Sequence, residues 1–179
     1  MSAATKVYSC DDHLDLYAVS PTLWEARMPK ALAARGPRVE ERDGDRVWVC
    51  DGRVIGRSGR ARNAGVAKQL NAIGRAGIED DGYRAGNAAL RLEDLDRDGL
   101  WASVVYGPAA LGMPIADPEL QQAAFAAWND WAIEEFNAVD PRRLCALAFL
   151  PSHSPEAAAA ELQDRKSTRL NSSHVALSR

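Results

Sequence analysis

Cysteine is scarce in this chain. Cys10, Cys50 and Cys145 are an odd, widely separated set with no C-x-x-C pair, which argues against a disulfide framework or a zinc ribbon. They read as thiols of a reducing compartment. The N-terminal MSAATKVYS has no apolar core of a signal peptide, so the expected location is the cytoplasm. Long hydrophobic runs are missing too, none approaching the roughly eighteen apolar residues of a membrane span. Nor is there an excess of basic charge. The 22 Lys and Arg against 25 Asp and Glu leave a net charge of -3 and a pI near 5.6, without the basic face that nucleic acid or an anionic membrane requires. What is present, 46% hydrophobic and 26% charged residues at a mean hydropathy of -0.32, belongs to a soluble globular chain.

The element order follows from local chemistry. KVYSC is short, β-branched and aromatic, and reads as a strand running into the polar DDH. Between Leu23 and Ala33, helix-like spacing interrupted by Pro29 predicts two short helical turns. Asp43-Gly44 and Asp51-Gly52 flank the alternating RVWVC, which predicts a three-stranded meander turned by residues that accept positive φ. Residues 56–88 are rich in Gly, Asn and Arg and are too long for an ordinary connection. Arg53, Arg57, Arg60 and Arg62 are candidates there for an anionic substrate, with a solvated segment as the default. A helix through Leu90, Leu92 and Leu95 stops at Gly99. LWASVVYG then reads as a strand buried on both faces. Asp117-Pro118-Glu119 opens a helix to about Ala138, in which Trp128 and Trp131 read as packing. LCALAFLP is a third strand, and Ser154-Pro155-Glu156 starts a last helix.

Strands alternating with helices, at separations that demand parallel neighbours, make this an α/β chain. It is either a doubly wound sheet or part of a (β/α)8 barrel. A barrel takes about 250 residues, so the three strands here account for about its first three units, with a hairpin and loop insertion over about residues 36–88.

The C-terminus reads differently. From Asp164 the alanine-rich helix gives way to DRKSTRLNSSHVALSR, with no helical or strand periodicity. DRKSTRLNSSH, residues 164–174, matches the in-frame translation of a common sequencing adapter. The expectation is therefore a native portion over 1–163 and an artefactual tail over 164–179, which removes Ser172, Ser173 and His174 from any site. Without the tail, residues 1–163 hold eighteen basic and twenty-four acidic residues, a net of -6.

The chemistry concentrates at the end of the first strand. In DDHLD, residues two apart on an extended chain share a face, which puts Asp11, His13 and Asp15 together. Carboxylate and imidazole are both ordinary Zn²⁺ ligands, and two from one strand leave positions open for water and further donors. A solvated, polar strand end accounts for the same residues. His153, after the third strand, is a candidate for substrate contact; otherwise it is an exposed loop residue beside Ser154, which caps the next helix.

VYSCDDHLDL, followed by PTLW, RMPKALAARGPRV and the DGRV hairpin, resembles the N-terminal part of the amidohydrolase-related family, in the branch of aminocarboxymuconate-semialdehyde and resorcylate decarboxylases. WNDWAIEEF, DPRRLCALAFLP and SPEAAAAEL continue the resemblance in the family's order, over nearly all of residues 7–163. It implies a metal-dependent barrel hydrolase or carboxy-lyase acting on a small organic substrate, carboxylated ones included. It also implies Asp11 and His13 as first-strand metal ligands, with Asp15 and His153 as supporting or substrate-contacting candidates. The metal is Zn²⁺, with Mn²⁺ or Mg²⁺ open because Asp11 makes the site harder. The family's other ligands would lie beyond Gln163, so the 179-residue chain is expected to be an inactive N-terminal fragment. Its partners would be a small-molecule substrate, no nucleic acid and no membrane, with room for a homo-oligomeric parent. The rival from another class is a non-catalytic α/β binding module without a metal site.

Overall fold

The computed structural model describes residues 5–58, 83–108 and 115–176. Its framework is a parallel sheet of β1 (Tyr8–His13), β5 (Ala102–Tyr106) and β6 (Leu144–Ala146), in that order. The three strands stand side by side in chain order, so each crossover adds the next strand to the same edge. That progression is how a (β/α)8 barrel grows, whereas a doubly wound sheet reverses direction at a switch point. No helix among the described residues is long and apolar enough to cross a membrane.

Between β1 and β5 lies the antiparallel meander β2 (Arg38–Arg42), β3 (Asp45–Cys50) and β4 (Arg53–Arg57). Both Asp-Gly turns take the left-handed conformation expected of them, with φ of 53° and 79° at Asp43 and Gly44 and 49° and 76° at Asp51 and Gly52. A type I′ turn needs positive φ at both central residues, which is what Asp and Gly supply. The meander is anchored by Trp48, fully buried, whose indole N–H donates to Leu16 O at 2.7 Å and whose ring meets Trp24 edge-on at 5.0 Å. Arg35 fastens it from outside, pairing with Asp51 and Asp117 at 2.9 Å each.

The helical layer follows the sequence signals. The short α1 (Leu23–Arg27) and α2 (Lys30–Ala33) are separated at Pro29. Asn87 caps α3 (Ala88–Arg97) by accepting from the N–H groups of Ala89 and Leu90, and Gly99 leaves the helix at φ 72°. Gly86 has no room for a side chain, because a Cβ there would stand 2.1 Å from Ala18 O. Asp117 caps α4 (Pro118–Trp131), whose residues Leu120, Ala124, Phe125, Ala127, Trp128 and Trp131 fall on the buried side. After Trp131 the helix widens into a π turn (Ala132–Phe136) and ends with Asn137–Val139. Trp24 ties α1 to this layer, its indole N–H donating to Ala124 O at 3.0 Å.

Three sequence expectations are corrected. β5 is not buried on both faces. Ser103 and Val105 point into the helical core, but Tyr106 is 43% exposed and Val104 half-buried. An apolar run records only that both faces of the strand are apolar, not that each is covered. β6 is shorter than LCALAFLP: one more ladder bond follows it, from Leu147 N–H to Val105 O at 2.9 Å, and side chains then take up backbone groups at Ala146 and Phe149. The Asn137 carboxamide accepts from Ala146 N–H at 2.7 Å and donates to its C=O at 3.1 Å. The Asn129 carboxamide does the same for Phe149, at 2.8 Å in both directions. Finally, helix α5 (Pro155–Ala176) does not stop at Asp164. No Gly or Pro follows Pro155, and a helix already nucleated extends at little cost through Arg, Lys, Leu and Ser. Arg165 adds ion pairs to Asp130 and to Glu161, the latter at 2.9 Å. Ser172, Ser173 and His174 lie on this helix, and their side chains are outside the described residues.

Candidate metal centre

The parallel ladder explains where the acidic strand end points. β1 is in register with β5 at Ser9 opposite Ser103 and at Asp12 opposite Val105. Two residues of β1, Cys10 and Asp11, therefore face the single Val104, which is a β-bulge. Ser103 and Val105 are buried under the helices, and Ser9 and Asp12 point with them; Cys10, Asp11 and His13 are exposed on the opposite, open face. Without the extra residue the alternation would carry Asp11 and His13 into the helical layer and leave Asp12 outside, because a slip of one residue exchanges the faces of a strand.

On the open face Asp11 Oδ1 lies 3.4 Å from His13 Nε2, with the side chains 90% and 56% exposed. The His13 ring stacks on Tyr106, the last residue of β5, with centroids 5.6 Å apart and planes at 25°. Donors held about 2.0–2.2 Å from a tetrahedral Zn²⁺ are themselves about 3.3–3.5 Å apart. The Asp11–His13 separation fits two neighbouring corners of that polyhedron. Among the described residues no group of three or more His, Cys, Asp or Glu converges as a metal cage, so the pair supplies two donors.

Behind the pair, on the helix side, Asp12 is the most heavily bonded carboxylate of the strand. It accepts from Ser9 Oγ at 2.7 Å, from Ser103 Oγ, and from Arg91 at 3.2 Å. Burial pushes its carboxyl pKa up. The two serine hydroxyls and the Arg91 guanidinium outweigh that and hold it below the usual carboxylate range. Sequence spacing did not single out Asp12; the signal that could have found it is a pair of serines, Ser9 and Ser103, brought opposite one another by the parallel register.

The other candidates stand apart from Asp11 and His13. Asp15 lies beyond the strand, exposed, at the start of the 3-10 turn Leu16–Ala18, because the chain bends once Leu14 enters the core. The period-two alignment that would have grouped it with His13 ends at His13. Asp15 acts instead on Tyr17, whose phenol is pushed up by burial and by the Asp15 charge. His153 Nδ1 is 3.3 Å from Oε1 of the buried Gln121, which also accepts from Ser152 N–H at 3.2 Å. Ser154 Oγ accepts from Ala157 N–H at 3.2 Å, the cap expected of it. Trp128 is fully buried and donates to Leu147 O at 3.1 Å, and the Trp131 ring lies tilted against it with centroids 5.0 Å apart; both are packing. Arg53 and Arg57 are exposed on β4, while Arg60 and Arg62 lie outside the described residues. A cleft of about 450 Å³ between the α3 N-terminus and the π turn excludes Asp11 and His13, and its one charged wall, Glu135, is already paired with Arg27.

No family model matches the sequence, and no curated protein matches it. Among solved structures, an amidohydrolase from Mycobacterium avium subsp. paratuberculosis K-10 is similar at TM-score 0.65 and 17% identity, over 93% of this chain and 48% of that one. A 2,6-dihydroxybenzoate decarboxylase from Rhizobium is similar at TM-score 0.44 and 19% identity, over 88% of this chain and 34% of that one. The chain thus spans about half the length of the amidohydrolase it resembles, and the likeness establishes the fold: α/β, part of a barrel of the amidohydrolase type.

Proposed function

We propose that this chain is the N-terminal part of a metal-dependent enzyme of the amidohydrolase superfamily, a hydrolase or carboxy-lyase acting on a small, carboxylated or carbonyl-bearing substrate. The observation that carries the reading is the Asp11–His13 pair, 3.4 Å apart on the open face at the carboxyl end of β1. Active sites of parallel barrels sit at that end of the strands. The open face itself points the same way. All-parallel sheets are normally covered on both faces, yet Tyr8, Cys10, Cys145 and Tyr106 are exposed here.

In this reading Asp11 and His13 hold a divalent cation, Zn²⁺ or, given the carboxylate, Mn²⁺ or Mg²⁺. The ion, when bound, supplies Lewis acidity toward a substrate oxygen or toward water. The chain's own residues contribute the rest. Asp11 brings negative charge and a harder donor, His13 a neutral imidazole, and Tyr106 a ring that fixes the plane of His13 from the neighbouring strand. Two donors bind a metal weakly, so the 179-residue chain is expected to be inactive alone and the activity to belong to a chain that closes the barrel.

The test is made on both. A chain extended to a closed barrel should release CO₂ from an aromatic carboxylate, or cleave an amide or ester, only with metal. Asp11→Ala and His13→Ala should each lower that activity at least about tenfold. Turnover by the extended chain that is indifferent to both substitutions and to chelator would refute the metal-dependent reading, and a closed barrel that binds no metal and turns over none of these substrates would favour the non-catalytic module.

A further inference from the structure

We propose that Asp12 is a positioning residue whose hydrogen-bonded clamp with Ser9, Ser103 and Arg91 pins the β1 bulge and so turns Asp11 and His13 onto the open face. This rests on the reading of Asp11 and His13 as metal ligands, but its structural core does not. Ser9 and Asp12 are the last residue before the bulge and the first after it, and both point to the helix side. The Ser9 hydroxyl donates to Asp12 Oδ1 at 2.7 Å, spanning the two bulged residues like a staple. The Ser103 hydroxyl donates to Oδ2 from β5, and Arg91 reaches the same oxygen from α3 at 3.2 Å. Arg91 is itself fixed, donating to Ala85 O at 3.1 Å.

This constellation works in only one register. If β1 ran without the bulge, Asp12 would swing to the open face, its three donors would be stranded beneath the helices, and Asp11 and His13 would be driven into an apolar layer. Asp12 therefore fixes which face carries the metal-ligating pair while touching neither substrate nor metal. A bulge that re-aims side chains beside an active site is a recurrent use of that device, and a residue behind the ligands commonly sets metal affinity by a factor of about 10–100.

The experiment uses the full 179-residue chain, with NMR of the His13 ring as readout and Mn²⁺ alone as the metal probe. The wild type should show a nuclear Overhauser contact between the His13 and Tyr106 rings, and selective broadening of His13 by Mn²⁺. Asp12→Ala should lose the ring contact and need at least about ten times more Mn²⁺ for the same broadening. Asp12→Asn, which still accepts from a serine hydroxyl, should retain the contact and fall between the two. A folded Asp12→Ala chain with both signals unchanged would overturn the proposal. Where Asp12→Ala does not fold, Ser9→Ala removes only the staple; it should weaken the ring contact, and an unchanged contact overturns the proposal equally. A wild type whose His13 ignores Mn²⁺, while Asp12→Ala still loses the ring contact, would refute the metal reading and leave the positioning role standing.

Discussion

The two faces of the parallel sheet are made of the same three strands and could hardly differ more. Toward the helices, Ser103, Val105, Leu144 and Ala146 meet Trp24, Trp128 and Phe136, and the polar groups that enter, Asp12 and Asn129, are fully engaged. Toward the open side stand Tyr8, Cys10, Asp11, His13, Tyr106 and Cys145, each exposed, their one close polar pairing among the described residues being Asp11 with His13. The comparison teaches where stability resides and where a ligand would find room. A face that is already packed gains nothing further from a ligand, whereas an open one at the carboxyl end of the strands has both the donors and the room.

The sharpest way to break this contrast is to truncate one large side chain on each face. Trp24→Ala should cost about 3–5 kcal/mol, since the indole is fully buried and its N–H satisfies Ala124 O. Tyr106→Ala on the open face should change stability by no more than about 0.5 kcal/mol. Urea denaturation of the two variants checks both, and equal costs would mean that the open face is not open. Asn129→Ala should come next, at about 2–3 kcal/mol, because it strips both backbone groups of Phe149 and a partner of Glu161 inside the core.

Thiol chemistry gives a kinetic version of the same test. Cys10 and Cys145 are exposed on the open face, and Cys50 is buried, its thiol pushed up to about 11 by burial and by the neighbouring Asp51 charge. Alkylation at pH 8, followed by mass spectrometry, should label Cys10 and Cys145 within minutes and Cys50 only after denaturation. In a chain extended to a closed barrel, Cys10 and Cys145 should become protected as well. The smallest effect is the acid limb of stability. Asp117 is held below the usual carboxylate range by the Leu120 N–H and by Arg35, and Asp51 by Arg35. A carboxyl whose folded pKa is depressed stabilises fully above its unfolded value, near 4, and loses that contribution as pH falls through the lower folded value. Arg35→Gln should therefore lower stability slightly at pH 7 and flatten its decline below about pH 4.

Much of this architecture was legible residue by residue. Asp43-Gly44 and Asp51-Gly52 announce their turns because few other residues tolerate that backbone, and Asp117-Pro118 and Gly99 mark helix ends for equally local reasons. The parallel sheet followed from crossover length. What was misread were features that depend on distant partners. The apolar run of β5 does not say that one of its faces lacks a cover. LCALAFLP does not reveal that Asn137 and Asn129 bond the backbone of Ala146 and Phe149, and a polar tail without periodicity does not show that its backbone continues α5.

The candidate site divides along the same line. The sequence by itself determined the pair, because any extended DDH segment carries its first and third residues on one side. It could not determine which side, nor that Asp15 would fall outside the pair. Those were settled by the register of β1 against β5, by a bulge at Cys10 and Asp11, and by Ser103 and Arg91 arriving from about 80 to 90 residues downstream to hold Asp12. The physical reason is that strand alternation is a local, period-two property of the backbone, whereas the assignment of faces is made where two strands and a helix meet.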